Sequence, residues 1–202
     1  MSSWKLWIDD HKLLCALLAL VLLAALLAGY FLYARPALLR SKYKLSYREE
    51  ILSSAKEYDL DPYLVCGVIF TESAFRPEAK SSVGALGLMQ LMPATGLEEA
   101  ELLEIEGVTE QRLTEPTLNI RLGCTYLRKL LDEFGTESVA LAAYNAGPGR
   151  VRQWLKEYGK KDDGSILYIP YPETSKYVDR VQSAKGVYER LYPELKQASG
   201  EK

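Results

Sequence analysis

Glu72 closes an uncharged run, Tyr-Leu-Val-Cys-Gly-Val-Ile-Phe over residues 63–70, from which only Thr71 separates it. A carboxyl group at the end of a buried apolar helix is withdrawn from water, which favours its protonated form. A carboxylic acid that keeps its proton near neutral pH is the group that glycosidic bond cleavage requires. Taken by itself, the segment reads equally as a solvated glutamate ending a helix. Most glycosidases pair such an acid with a second carboxylate; substrate-assisted cleavage is the alternative. The nearest second acid, Glu78, sits in a Pro-Glu-Ala-Lys stretch that reads as an exposed loop.

Two further blocks are rich in small and polar residues. Residues 81–95 read Ser-Ser-Val-Gly-Ala-Leu-Gly-Leu-Met-Gln-Leu-Met-Pro-Ala-Thr, and residues 142–149 read Ala-Ala-Tyr-Asn-Ala-Gly-Pro-Gly without an acid. Gln90 is an amide inside an apolar Leu-Met-x-Leu-Met run and needs hydrogen-bond partners there. Ser81 and Ser82 read as turn formers or as contacts to a ligand. Met89 reads as core, while Met92 reads as core or cleft wall. Tyr144 is a packed tyrosine or a cleft residue, and Asn145 a helix cap before Gly147, a site residue, or both. Gly84 and Gly87 would let backbone approach a sugar closely.

With Glu72-Ser73, these two blocks resemble the soluble lytic transglycosylase family in order and spacing, and the resemblance covers roughly residues 46–193. It implies a lysozyme-like fold and cleavage of the peptidoglycan glycan strand. It also implies a substrate-assisted route that ends in a 1,6-anhydro-N-acetylmuramic acid, with Glu72 as both acid and base. Ser81 matches a residue placed to contact the muramoyl N-acetyl group. Gln90 and Met92 match the Gly-Leu-Met-Gln motif of the cleft wall. Tyr144 and Asn145 match the Ala-Tyr-Asn block beside the acid, and Tyr177 matches the tyrosine of a late Glu-Thr-x-x-Tyr-Val segment. Other readings are a muramidase-type hydrolase on the same fold, and a non-catalytic glycan-binding protein of the cell envelope. An intact Glu72 argues against the latter, because a binding module has no need to bury an acid.

Such a site must be positioned by helices, and the fold class expected is mainly α: a lysozyme-like helical domain preceded by one N-terminal transmembrane helix. Residues 47–58 are amphipathic. Asp61-Pro62 is a helix start, with Asp at the cap and Pro at the first helical position, and that helix runs to about residue 73. Residues 81–90 read as an irregular loop. Helices are expected from near Pro93, over 117–134 and 137–144, over 148–158 and over 173–191, with a loop and a short strand pair across 162–172.

Residues 13–34 carry no charge, are dominated by leucine and alanine, and have the length of a bilayer-spanning helix. Tyr30, Phe31 and Tyr33 sit at the far end, as interfacial aromatics do. The alternative, a cleaved signal peptide, would have a long hydrophobic core. The expected division is a cytoplasmic segment 1–12, an anchor 13–34, a basic linker 35–45, the transglycosylase domain 46–195 and a polar tail 196–202. The expected location is the cell membrane, single-pass, with the domain extracellular or periplasmic. Arg35, Arg40, Lys42 and Lys44 outnumber Lys5 and Lys12, and a literal count of positive charges points the other way. The wall-directed motifs outweigh that bias.

A net charge of −2 and a pI near 5.6 give no sign of nucleic-acid binding. The basic stretch at Arg150, Arg152, Lys156, Lys160 and Lys161 reads as a solvated face. The only histidine, His11, precedes the apolar segment, which leaves the domain without histidine catalysis or a histidine metal site. Cys15, Cys66 and Cys124 have no metal-ligand spacing. Neither a metal nor a cofactor is expected. Cys66 and Cys124 read as buried small hydrophobes or as a disulfide pair.

Overall fold

The computed structural model describes residues 11–199, with side chains through Lys196. The expected cytoplasmic segment, apart from its last two residues, and the end of the polar tail lie outside the described residues.

The chain divides into two compact units, residues 1–43 and 44–202. In the first, α1 (Lys12–Gly29) leads through one π-helical turn (Tyr30–Ala34) into α2 (Arg35–Lys42). None of the side chains of these three elements is buried. A leucine- and alanine-rich helix has no polar face to turn to water, so it cannot lie half-buried on a core as an amphipathic helix does. The stretch Lys12–Lys42 is 31 residues, long and apolar enough to cross a membrane. The segment read as a linker is therefore helical through Lys42. Pro36 falls in the first turn of α2. Its ring would crowd the preceding turn and it has no N–H to donate, and the π-turn just ahead absorbs that misfit.

In the second unit the helices are α3 (Arg48–Glu57), α4 (Pro62–Ser73), α5 (Pro93–Leu102), α6 (Pro116–Phe134), α7 (Glu137–Ala146), α8 (Pro148–Tyr158), α9 (Pro172–Leu191) and the short α10 (Glu194–Ser199). A 3₁₀ turn, Gln111–Thr114, precedes α6. Pro62, Pro93, Pro116, Pro148 and Pro172 each stand in a first helical turn, where the missing N–H costs nothing. Asp61 caps α4 by accepting from the Tyr63 amide at 2.9 Å. Among the described residues there is no strand. The strand pair expected across 162–172 is one bridge, Lys160 to Ile166.

α4 runs through the centre, and every residue from Pro62 to Ile69 is buried. That explains why its sequence is apolar all round rather than periodic. α9 makes the most extensive contact with it, and α3 and the short α10 also pack on it. Lys185 of α9 reaches Asp61 at 2.8 Å and Glu137 at 2.7 Å, tying the starts of α4 and α7 to one cation. Cys66 and Cys124 are free, buried thiols, and burial pushes both up in pKa. The disulfide alternative is not formed.

Candidate active site

The helix carrying Glu72 ends abruptly. Ala74 and Phe75, directly after Ser73, are both left-handed, with φ of 50° and 62°. Each costs about 1–2 kcal/mol in a residue with a Cβ. Several contacts offset that strain. The Ala74 amide bonds to the Phe70 carbonyl at 3.0 Å, Arg76 Nε donates to the Ser73 carbonyl at 3.0 Å, and the Phe75 ring packs on Tyr188 with centroids 5.9 Å apart. Ser73 is buried, and its hydroxyl lies 3.0 Å from the Ile69 carbonyl and 2.8 Å from the Leu88 carbonyl. That hydroxyl joins the end of α4 to the 81–90 loop.

The loop is held from beneath by Asn119 of α6, which is fully buried. Its Oδ1 accepts from the Met89 amide at 2.7 Å, and its Nδ2 donates to the Leu86 carbonyl at 3.0 Å and the Leu113 carbonyl at 2.7 Å. Gly87 sits on this amide with φ of 79°, and a Cβ there would stand 2.3 Å from Asn119 Nδ2. Asn119 thus requires glycine at position 87. Gly84, by contrast, faces open space. Gln90 donates from Nε2 to the Ala79 and Gly87 carbonyls, both at 2.9 Å, and so finds its partners in the loop itself. Ser81 Oγ accepts from the Ala85 amide at 2.9 Å, which makes it a turn former as well as a cavity residue. Met89 is wholly buried, as expected.

Glu72, Ser81 and Gln90 border one cavity of about 470 Å³, together with Arg76, Glu78 and Lys80. Hollows of about 520 Å³ beside α5 and 530 Å³ beside residues 161–169 are larger, but neither borders Glu72. Burial raises the Glu72 carboxyl to about 7, while the Tyr177 hydroxyl and then the charge of Arg180 pull the other way. Tyr177 and Tyr144 are themselves pushed well up, first by burial and then by the Glu72 charge, so both hydroxyls keep their protons. Tyr144 donates to the Met89 carbonyl at 2.8 Å. Tyr177 is 2% exposed, and its hydroxyl lacks any partner at hydrogen-bonding distance among the described residues. It faces Glu72 closely enough to act on its charge, with a proton still to give.

Met92, Tyr144, Asn145 and Tyr177 do not border this cavity, although the two tyrosines lie close enough to Glu72 to sense its charge. Met92 is the residue before α5 and is 43% exposed. Asn145 lies in the last turn of α7, where Gly147 forms the cap, and its Oδ1 accepts from Thr174 Oγ1 at 2.9 Å, linking α7 to the start of α9. Glu78, read as an exposed loop acid, is exposed, yet it borders the same cavity as Glu72. Asn119, Arg180 and the pair Arg76 and Lys80 had not been singled out. The reasoning applied to Gln90, that an amide in an apolar run needs partners, would have found Asn119.

An acid retained at the end of a central helix, under a loop braced from below, is what the expected lysozyme-like domain would provide. The family described as Transglycosylase SLT domain matches residues 49–167. The chain belongs to that family. The Soluble lytic murein transglycosylase of Salmonella typhimurium is 35% identical to this chain over 154 residues, covering 74% of this chain and 24% of its own length. The Membrane-bound lytic murein transglycosylase C of Haemophilus influenzae (strain PittEE) is 32% identical over 135 residues, covering 61% of this chain and 37% of that protein. Among solved structures, an inactive mutant of the lytic transglycosylase Slt from Pseudomonas aeruginosa superposes with a TM-score of 0.70 at 40% identity, over 75% of this chain and 25% of that one. The chain spans about a quarter of the length of the soluble relatives it matches.

Proposed function

We propose that this chain is a membrane-anchored lytic transglycosylase that cleaves the β-1,4 bond between N-acetylmuramic acid and N-acetylglucosamine in peptidoglycan. The observation that carries the reading is the Glu72 carboxyl, raised to about 7 in a cavity with Ser81 and Gln90. A group that titrates near the working pH can both give and take a proton. Glu72 protonates the glycosidic oxygen as the bond from the anomeric carbon to that oxygen breaks. The resulting carboxylate then takes the proton of the muramoyl 6-hydroxyl, whose oxygen attacks the anomeric carbon. The ring closes as a 1,6-anhydro sugar, Glu72 regains its proton, and no water is consumed. The Tyr177 hydroxyl, buried and unspent, is available to the carboxylate between the two transfers. Ser81 and Gln90 shape the wall against which the muramoyl unit rests, and Tyr144 braces the loop from behind through the Met89 carbonyl. Met92 and Asn145 serve the flanking cleft. One similar solved structure is that of a protein described as inactivated by a Glu-to-Gln exchange, which suits single-glutamate chemistry.

A muramidase-type hydrolase is the second reading, because Glu78 borders the same cavity and would supply the second carboxylate of a hydrolytic pair. Product analysis separates the two. The detergent-solubilised full chain, incubated with purified peptidoglycan in ¹⁸O water, should release muropeptides ending in unlabelled 1,6-anhydro-N-acetylmuramic acid. Reducing ends carrying one ¹⁸O would assign it as a hydrolase.

The anchor is the helix Lys12–Lys42, which at 31 residues extends about 46 Å against a hydrocarbon core of about 30 Å. It leaves turns beyond the apolar run for the headgroup region, where Arg40 and Lys42 lie. The domain from residue 44 onward stands on the wall side. Protease added to intact cells or protoplasts should digest the domain; protection until the membrane is lysed would reverse the orientation.

A further inference from the structure

The corner that ends α4 is gripped by one aromatic side chain. Tyr188 of α9 is wholly buried. Its ring meets Phe70 edge-on, with centroids 6.1 Å apart and planes at 69°, and Phe75 at 5.9 Å and 47°. Phe70 lies just before Glu72 in the chain and Phe75 just after it, so one ring holds both flanks of the acid. Tyr188 also stacks on Tyr192, with centroids 5.8 Å apart and planes at 23°. Its hydroxyl donates to the Lys44 carbonyl at 3.3 Å, which is long for a bond between oxygens. The ring, with three aromatic neighbours, therefore outweighs the hydroxyl. The backbone between the flanks shows what the grip does. Ala74 and Phe75 hold φ of 50° and 62°, a conformation that residues with a Cβ avoid. Loss of the ring contact lets this corner relax toward the right-handed region, and the last turn of α4, which carries Glu72, moves with it.

We infer that Tyr188 is a positioning residue for the acid: packed on Phe70 and Phe75, it fixes the corner after α4 and with it the place of the Glu72 carboxyl. Tyr188 does not border the cavity, so it acts through the corner and not on a ligand. The carboxyl is raised to about 7 chiefly by burial. The titratable and charged groups that face it come from α9 (Tyr177 and Arg180), from α7 (Tyr144) and from the cavity rim (Arg76, Glu78 and Lys80). A change at Tyr188 leaves all of these in the chain and reaches the acid by moving it and admitting water. The effect on turnover rests on the reading of the chain as a peptidoglycan-cleaving enzyme; the effect on the carboxyl does not.

The test first reads the acid without substrate. Melting of the solubilised full chain is compared with that of its Glu72→Gln counterpart from about pH 5 to about pH 8. A carboxyl raised above its ordinary 4.5 loses stability as pH rises through its folded value, so the glutamine counterpart melts higher at the alkaline end and the two converge at the acid end. Tyr188→Leu removes the ring. It should shrink the alkaline difference by about half and lower its midpoint by about one pH unit, as water reaches the carboxyl. Phe75→Leu removes the other half of the same contact at the same backbone φ, and should reproduce the shift; it decides the matter where Tyr188→Leu does not fold. Tyr188→Phe keeps the ring and should keep the wild-type difference. Leu130→Ala, a cavity in the buried face of α6, should lower melting while the difference stays whole. On peptidoglycan, Tyr188→Leu should lower kcat about ten-fold with KM within about two-fold, and Tyr188→Phe should turn over at the wild-type rate. Leucine variants that melt lower yet keep the full difference would overturn the positioning role and leave Tyr188 as core packing. A loss that falls on KM with kcat unchanged would overturn it too. If the wild-type chain cleaves no peptidoglycan while the titration still moves in Tyr188→Leu, the proposed function fails and the positioning stands.

Discussion

Gly67 of α4 lies against the backbone of α9 at Val181: a Cβ on Gly67 would stand 2.8 Å from the Val181 carbonyl oxygen and 3.2 Å from the Lys185 amide nitrogen. This approach sets the spacing of the two helices that carry Glu72 and Tyr177. The carboxyl is raised mainly by burial, so its chemistry depends on how closely α9 covers it. Gly67→Ala must push the helices apart or strain them, and should cost about 1–3 kcal/mol of stability. It should also let water reach Glu72 and lower its pKa. Thermal melting and the pH–rate profile would both move, although residue 67 borders no part of the cavity.

Tyr177→Phe separates electrostatics from packing. The hydroxyl is buried without a close partner, so its removal should change stability by less than about 1 kcal/mol. The same hydroxyl lowers the Glu72 pKa, so the phenylalanine variant should titrate above 7. The alkaline limb of kcat/KM should move up in pH while kcat falls. A limb that stays in place would detach Tyr177 from the acid.

The raised pKa has a consequence for stability. Glu72 goes from an ordinary 4.5 to about 7 on folding, so between these values the folded state holds more of the proton than the unfolded chain does. Stability should accordingly decline as pH rises from 4.5 through about 7, then level off, by about 3 kcal/mol for this group. Glu72→Gln has no charge to bury. It should melt above the wild type at pH 8, and the gap should close by pH 5. A gap independent of pH would mean that the carboxyl is not held in a desolvated state.

Much of this arrangement was legible in the sequence. The helix from Pro62 to Ser73 was marked by Asp61 and Pro62 at its start, and the one from Pro148 to Tyr158 by its glycine and proline punctuation. The uncharged run before Glu72 foretold the burial that raises its pKa. What escaped were relationships between distant segments. Gly67 looks like a poor helix residue until Val181 is beside it, and Asn119 looks like an interruption in an amphipathic helix until the loop carbonyls above it are seen. The helical state of residues 35–42 was hidden by Pro36, which local rules read as a break. Glu78 was placed correctly on the surface, but only the fold brings that surface to the rim of the cavity.

The central claim is that Glu72 alone carries both proton transfers, and one comparison tests it most directly: turnover of purified peptidoglycan by Glu72→Gln beside Glu78→Gln. The amide is nearly isosteric with the acid but can neither protonate the glycosidic oxygen nor accept the 6-hydroxyl proton. General acid–base catalysis contributes about 10²–10⁴-fold, and one group performing both transfers should lie at the top of that range. Glu72→Gln should therefore bind strands without releasing detectable anhydro-muropeptides, while Glu78→Gln releases them at a rate near that of the wild type. Activity above about 1% of wild type in Glu72→Gln, or its loss in Glu78→Gln, would contradict the account.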